Sequence, residues 1–201
     1  MAQADSHLEI EHKFVLPDDF DRERFFSEVK RHQPLRCATA QVVERYFVTK
    51  LTPGIIYRHR YDENNQDLTY KSFGHGDIEV RREVRLSLDL QSGNQVDRVQ
   101  AFLAPLGVRW QGGLTKELHV FNFSDCELVY YTASTDDKSV TCVEFEALAT
   151  EDIPAALATL SMYEKRFGFI DNQRSRRSLF ELLFDDCLGS KNCVETPRSE
   201  S

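Results

Sequence analysis

Charged and apolar side chains take turns along much of this chain, with a period of two. Leu8, Ile10, His12 and Phe14 alternate with Glu9, Glu11 and Lys13, and in an extended strand alternate side chains share a face. Ile56–Tyr61 puts Arg58 and Arg60 together, and Leu68–Lys71 does the same for Thr69 and Lys71. Between Ile78 and Leu86, the odd positions hold Glu79, Arg81, Glu83 and Arg85, while Val80, Val84 and Leu86 fall on even ones. Cys142–Glu146 adds Glu144 and Glu146, with Cys142 read as a packing residue on the opposite, outward face.

Turn residues divide these runs into eight predicted strands, at about 7–15, 40–49, 54–61, 66–73, 77–88, 114–122, 126–134 and 139–148. Pro53-Gly54, Asn64-Asn65 and Gly74-His75-Gly76 mark hairpin turns. Four helices are expected between and after them. Asp18 or Asp19 caps the first, which carries Phe20, Phe25 and Val29. The second opens at Gly93-Asn94, with Val96, Val99, Phe102, Leu103 and Leu106 on one stripe, and stops at Gly107. The third starts at Thr150 and ends at Gly168. The last covers about 172–187, with Leu179, Leu182, Leu183 and Cys187 on its apolar side.

Six glutamates (9, 11, 79, 83, 144, 146) and six basic residues (13, 58, 60, 71, 81, 85) share the polar sides of five strands. A solvated sheet face usually mixes Thr, Ser, Gln and Lys. A crowded, near-balanced set of Arg and Glu reads instead as the lining of a binding cavity, because isolated buried ions are prohibitively costly. The expected fold is therefore α+β: an eight-stranded, mainly antiparallel closed barrel with a polar lumen, its apolar outer faces covered by helices. A sandwich with one wet face is the alternative, and it leaves the arginine density unexplained.

Composition fits one domain over residues 1–188, followed by a polar tail, 189–201, expected to be disordered. The net charge of −8 argues against a nucleic-acid polymer or an acidic membrane as partner, yet allows a basic cavity inside an acidic exterior. No run of about 18 apolar residues is present, and Met-Ala-Gln-Ala-Asp-Ser lacks the apolar core of a secretory signal. Five scattered cysteines without a C-x-x-C pair point to reduced thiols and a cytoplasmic setting, for a monomer or homodimer. His12, His59 and His75 share no ligand spacing, and Trp110, expected in a loop, reads as a packing anchor.

The run E-x-E-x-K, R-x-R, T-x-K, R-x-E and a late E-x-E, in this order from Leu8 to Phe184, resembles the CYTH superfamily of triphosphate tunnel metalloenzymes. That family includes class IV adenylate cyclases, thiamine triphosphatases and inorganic tripolyphosphatases. The resemblance implies that Glu9, Glu11, Glu144 and Glu146 bind Mg²⁺ or Mn²⁺. It also implies that Lys13, Arg58, Arg60, Lys71, Arg81 and Lys116 hold substrate phosphates, with Glu83 in support. Glu9, Glu11, Lys13 and Lys71 are the catalytic candidates. The chemistry is consistent: carboxylates and water suit a hard cation, Arg and Lys neutralise phosphates, and phosphoryl transfer needs no nucleophilic side chain.

Three departures from the family pattern stand out. Leu118 occupies the position of an arginine, the strand 126–134 lacks the family's aspartate, and Arg174, Arg176 and Arg177 leave open which one reaches the tunnel mouth. The expected function is a metal-dependent hydrolase of inorganic tripolyphosphate or an organic triphosphate. An adenylate cyclase and a noncatalytic polyphosphate-binding module are the alternatives.

Overall fold

The computed structural model describes residues 4–72 and 80–189, with side chains described throughout except at 4–7, 72, 81, 82 and 186–189. Gly74-His75-Gly76, Glu79, Cys193 and the tail from 190 lie outside the described residues, as does the Cys187 side chain. Among the described residues nine strands, β1 (Ala4–Val15), β2 (Arg36–Thr49), β3 (Ile55–Tyr61), β4 (Gln66–Ser72), β5 (Val80–Ser87), β6 (Val108–Asn122), β7 (Cys126–Ser134), β8 (Ser139–Ala147) and β9 (Arg174–Ser175), form one sheet. Four helices accompany it: α1 (Arg22–Arg31), α2 (Val96–Leu103), α3 (Ile153–Arg166) and α4 (Leu179–Gly189). The sheet order is β5-β4-β3-β2-β6-β7-β8-β1-β9, and all its pairings are antiparallel. β1 takes three partners: β5 along Ala4–Ile10, β8 along Glu11–Val15, and β9 at Lys13 and Phe14.

Local chemistry fixes the joints. In the β3–β4 turn the Asp62 carboxylate accepts the backbone N–H groups of Asn64 and Asn65, each at 2.8 Å, a side-chain mimic of a backbone turn. Asp21, rather than Asp18 or Asp19, caps α1 by accepting from the Arg24 N–H at 3.0 Å. Asp152 caps α3 in the same way through the Ala155 N–H at 3.1 Å.

The core is divided by the sheet. On the outward face, Ile10, Phe14, Leu128, Tyr130, Val143 and Phe145 pack under α1 and α3, joined by Phe25, Val29, Leu160 and Tyr163. Phe47 packs with Val99 and Leu103 of α2 in a smaller outward cluster. Burying one such Phe contributes about 2–3 kcal/mol. The other face carries the charged residues, but also a third apolar cluster. There Tyr46, Leu114, Leu118, Tyr131 and Cys142 meet Leu179, Phe180, Leu183 and Phe184 of α4.

Four expectations need correcting. Cys142 shares the face of Glu144 and Glu146, since all three are even-numbered on one strand, and it is fully buried there. β6 begins at Val108, so Trp110 sits in a strand, where its ring meets Phe180 and Phe184 at 5.2 and 5.0 Å. Gly112 permits this: a Cβ there would come within 2.5 Å of the indole. The last helix starts at Leu179, because Arg174 and Ser175 pair with β1 instead. α4 therefore covers part of the charged face and not the outward one.

Candidate active site

Strand register brings the charges together. Arg60 lies opposite Glu44, Lys71 opposite Glu83, Glu11 opposite Glu146 and Lys13 opposite Glu144. Three groups of contacts result. Lys71 bridges Glu9 and Glu83, with Nζ–O distances of 2.7 Å to each. Lys13 bridges Glu11 at 3.3 Å and Glu144 at 2.9 Å, and the Tyr131 hydroxyl donates to Glu144 at 2.7 Å. Glu44 lies 3.6 Å from Lys116 and 3.9 Å from Arg58, and accepts a hydrogen bond from the Tyr46 hydroxyl at 2.5 Å. The Lys116 ammonium also sits 4.4 Å from the centre of the Tyr131 ring, a cation–π contact strengthened by burial.

These charges set one another's protonation. Burial pushes the Glu83 carboxyl up, but Lys71 and Arg58 outweigh it and hold the group at about 2. Burial lowers Lys116, and Glu44 and Glu144 only partly offset this. Burial would also lower Lys71, yet Glu9, Glu83 and Glu11 raise it overall. Glu146 has the opposite surroundings: burial, Glu9, Glu11 and Glu127 together push it up to about 8. Like charges held close in a desolvated place repel, and protonation relieves them.

One feature separates the basic residues. Lys13, Lys71 and Arg85 donate hydrogen bonds to carboxylates. Arg58 and Lys116, with side chains only 12% and 11% exposed, lie beyond hydrogen-bond distance of their nearest carboxylates, and the Arg58 Nε is buried without a partner. A buried donor left unmade is costly, and the Nε of Arg58 is one such donor.

The remaining predicted residues are distributed as follows. Arg60 leans toward Asp62 at 3.6 Å, also beyond hydrogen-bond distance, and its Nε is buried without a partner like that of Arg58. Arg81 stands opposite Glu9 in the β1–β5 register, its side chain outside the described residues. Arg174 contacts His12, on the outward side of β1, and Asp171. Arg177 binds Asp185 at 2.6 Å, and Arg176 is exposed. His12 is buried against Glu164, and His59 is buried with Gln66 at 3.1 Å, both as core histidines.

Sequence reasoning missed Glu44, Tyr46, Asp67 and Tyr131. Asp67 had a signal, since it shares parity with Thr69 and Lys71 and accepts the Thr69 hydroxyl at 2.8 Å. Glu44 is alone among apolar neighbours on its face, so no alternation of charge marked it.

Among the described residues, no three His, Cys, Asp or Glu side chains form a group able to hold a metal ion by themselves. Nor is any described helix long and apolar enough to cross a membrane.

No family model matches the sequence, and no curated protein does. Solved structures do match. A Pyrococcus horikoshii protein superposes with a TM-score of 0.70 at 16% identity, over 87% of this chain and 99% of its own. A proposed adenylate cyclase of Bacillus halodurans gives 0.62 at 18% identity, over 89% and 98%. A proposed adenylyl cyclase of Hippeastrum, reported to have a dominant triphosphatase activity, gives 0.63 at 18% identity, over 89% and 96%. The chain has their fold. The Bacillus and Hippeastrum proteins are described as proposed adenylate cyclases, the latter with triphosphatase activity, activities that the resemblance carried by the five motifs also names.

Proposed function

We propose that this chain is a metal-dependent hydrolase of a triphosphate, inorganic tripolyphosphate or an organic one, held along the charged face of its sheet. β1, shared between β5 and β8, is read as the seam along which the sheet wraps into a tunnel. The observation that carries the proposal is the pair Arg58 and Lys116: largely buried cations beside a carboxylate they do not bond, with the Nε of Arg58 buried and unpartnered. A polyphosphate supplies the acceptor oxygens that such donors lack. Lys13, Lys71, Arg60 and Arg81 would complete the cradle, with Glu83 fixing Lys71 and Arg58.

Glu9, Glu11 and Glu146, with Glu144 beside them, are the oxygens that would hold Mg²⁺ or Mn²⁺. The donor chemistry suits a hard cation, which needs only one or two carboxylates when phosphate and water complete its shell. Burial and then the repulsion of Glu9, Glu11 and Glu127 lift Glu146 to about 8, and a cation would relieve that repulsion. Such an ion would act as a Lewis acid on the phosphate oxygens. Lys71 ties Glu9 in place, Lys13 ties Glu11 and Glu144, and both would bring positive charge to the transferred phosphoryl group. A cavity of about 430 Å³, lined by Ala40 and Leu118 of the charged face, by Asp62 of the β3–β4 turn and by Glu117 and His119 of the other face, would be the place for an organic leaving group.

A noncatalytic binding module is the second reading, favoured by Leu118, which is buried and apolar on the charged face. Phosphate release from a panel of triphosphates, with Mg²⁺ or Mn²⁺ and then with excess EDTA, separates the readings. Metal-dependent orthophosphate release is expected. Cyclic AMP with pyrophosphate would indicate a cyclase, and binding without any turnover would leave the module.

A further inference from the structure

Glu44 is fully buried and has no role in the scheme above. Its Oε2 accepts from the Tyr46 hydroxyl at 2.5 Å, while Oε1 is buried with no hydrogen-bond partner. That free oxygen faces Lys116 at 3.6 Å and Arg58 at 3.9 Å, both outside normal hydrogen-bond distance. Two ordinary roles fail. A carboxylate held at about 2 is far too weak a base near neutral pH, where an effective base titrates close to the working pH. A metal ligand is equally unsuitable, because the charges around it, Lys116, Arg58 and Arg60, are all positive.

We propose that Glu44 is a positioning residue, whose carboxylate, fixed by Tyr46, holds Arg58 and Lys116 side by side so that both aim their free donors at adjacent phosphate oxygens. The inference rests on the triphosphate reading of this face. Arg58 on β3 and Lys116 on β6 flank β2 and repel one another. The carboxylate between them offsets that repulsion without consuming their N–H groups. The distances matter here: a closer, bonded Glu44 would compete with the phosphate instead of presenting the cations to it.

The sign of one substitution decides between these. If Glu44 were only a resident anion competing for the cations, Glu44→Gln would tighten binding of a polyanion. If it positions them, Glu44→Gln weakens binding of tripolyphosphate by about tenfold or more, as small misplacements of a binding group do. Glu44→Asp, which keeps the charge on a shorter arm, is expected to fall between wild type and Glu44→Gln. Tyr46→Phe, which removes only the hydroxyl that orients the carboxylate, is expected to weaken binding in the same direction, and it carries the test should Glu44→Gln fail to fold. The measurement is calorimetric titration of tripolyphosphate into each protein, with Arg58→Ala as the reference for a lost cradle contact. Unchanged or tighter binding by Glu44→Gln, or by Tyr46→Phe in its place, beside a wild type that binds, overturns the positioning role alone. A wild type that binds no tripolyphosphate overturns the triphosphate reading, and the positioning role with it.

Discussion

Glu44 and Glu146 are carboxylates on one face of one sheet, and their surroundings drive them in opposite directions. Around Glu44, burial raises the carboxyl, but Lys116, Arg58, the Tyr46 hydroxyl and Arg60 outweigh it and leave the group at about 2. Around Glu146, burial, Glu9, Glu11 and Glu127 act in concert, with Lys71 opposing, and the group stands at about 8. The β2–β3–β6 side is thus organised around positive charge and the β1–β8 side around negative charge. A metal polyphosphate offers both complements at once: oxygens for the first side and a cation for the second. On the proposed function, placing the two excesses on one face is what would let a single ligand of that kind fit.

Breaking the negative side is expected to have the largest effect. Removing divalent metal with EDTA, or making Glu11→Gln, should each lower triphosphate turnover by about 10³-fold, the scale on which electrostatic stabilisation of a transition state acts. Phosphate release at saturating substrate measures it. A full rate in either case would take the carboxylates out of the reaction.

Stability separates the two sides by sign. The raised group Glu146 contributes stability below its ordinary value of 4.5, and that contribution is lost as pH rises through about 8. The depressed group Glu44 contributes stability above 4.5, and that is lost as pH falls through about 2. In metal-free protein above pH 8, Glu146→Gln should therefore raise the melting temperature, while at neutral pH Glu44→Gln should lower it. Each effect is on the order of 3 kcal/mol. Melting curves across pH check this, and shifts of the same sign would refute the contrast.

On the positive side, Arg58→Ala should weaken triphosphate binding by about 1.5–3 kcal/mol, the worth of a charge-assisted hydrogen bond. The smallest effects belong to Arg60 and Arg85, whose side chains are 28% and 44% exposed. Solvent screens them, so Arg60→Ala and Arg85→Ala should each cost under about 1 kcal/mol of binding. Losses as large as that of Arg58→Ala would show that burial does not rank the cradle residues.

Much of this arrangement was legible in the chain, and the gaps have physical causes. Strict period-two contrast grouped Glu9, Glu11 and Lys13 on one side of β1, and likewise the polar residues of β3 and β4 and the pair Glu144 and Glu146 of β8, because parity alone decides sides within a strand. Glu44 escaped because its partners Arg58 and Lys116 come from β3 and β6, and only sheet register unites them. β9 escaped for a similar reason: Arg174 and Ser175 read locally as helix, and their strand character comes from pairing with β1, some 160 positions away. The inward placement of α4 was likewise invisible, since an apolar stripe does not say which face of a sheet it will cover.

The central claim is that Arg58 and Lys116 keep free donors for a polyphosphate whose metal the β1–β8 carboxylates hold. Calorimetric titration of tripolyphosphate into wild type and Arg58→Ala, each with Mg²⁺ and with EDTA, tests it most directly. The account predicts binding that Mg²⁺ tightens in wild type and that Arg58→Ala weakens by about tenfold or more in either condition. Equal affinity in wild type and variant, or no binding by wild type with Mg²⁺ present, would contradict it.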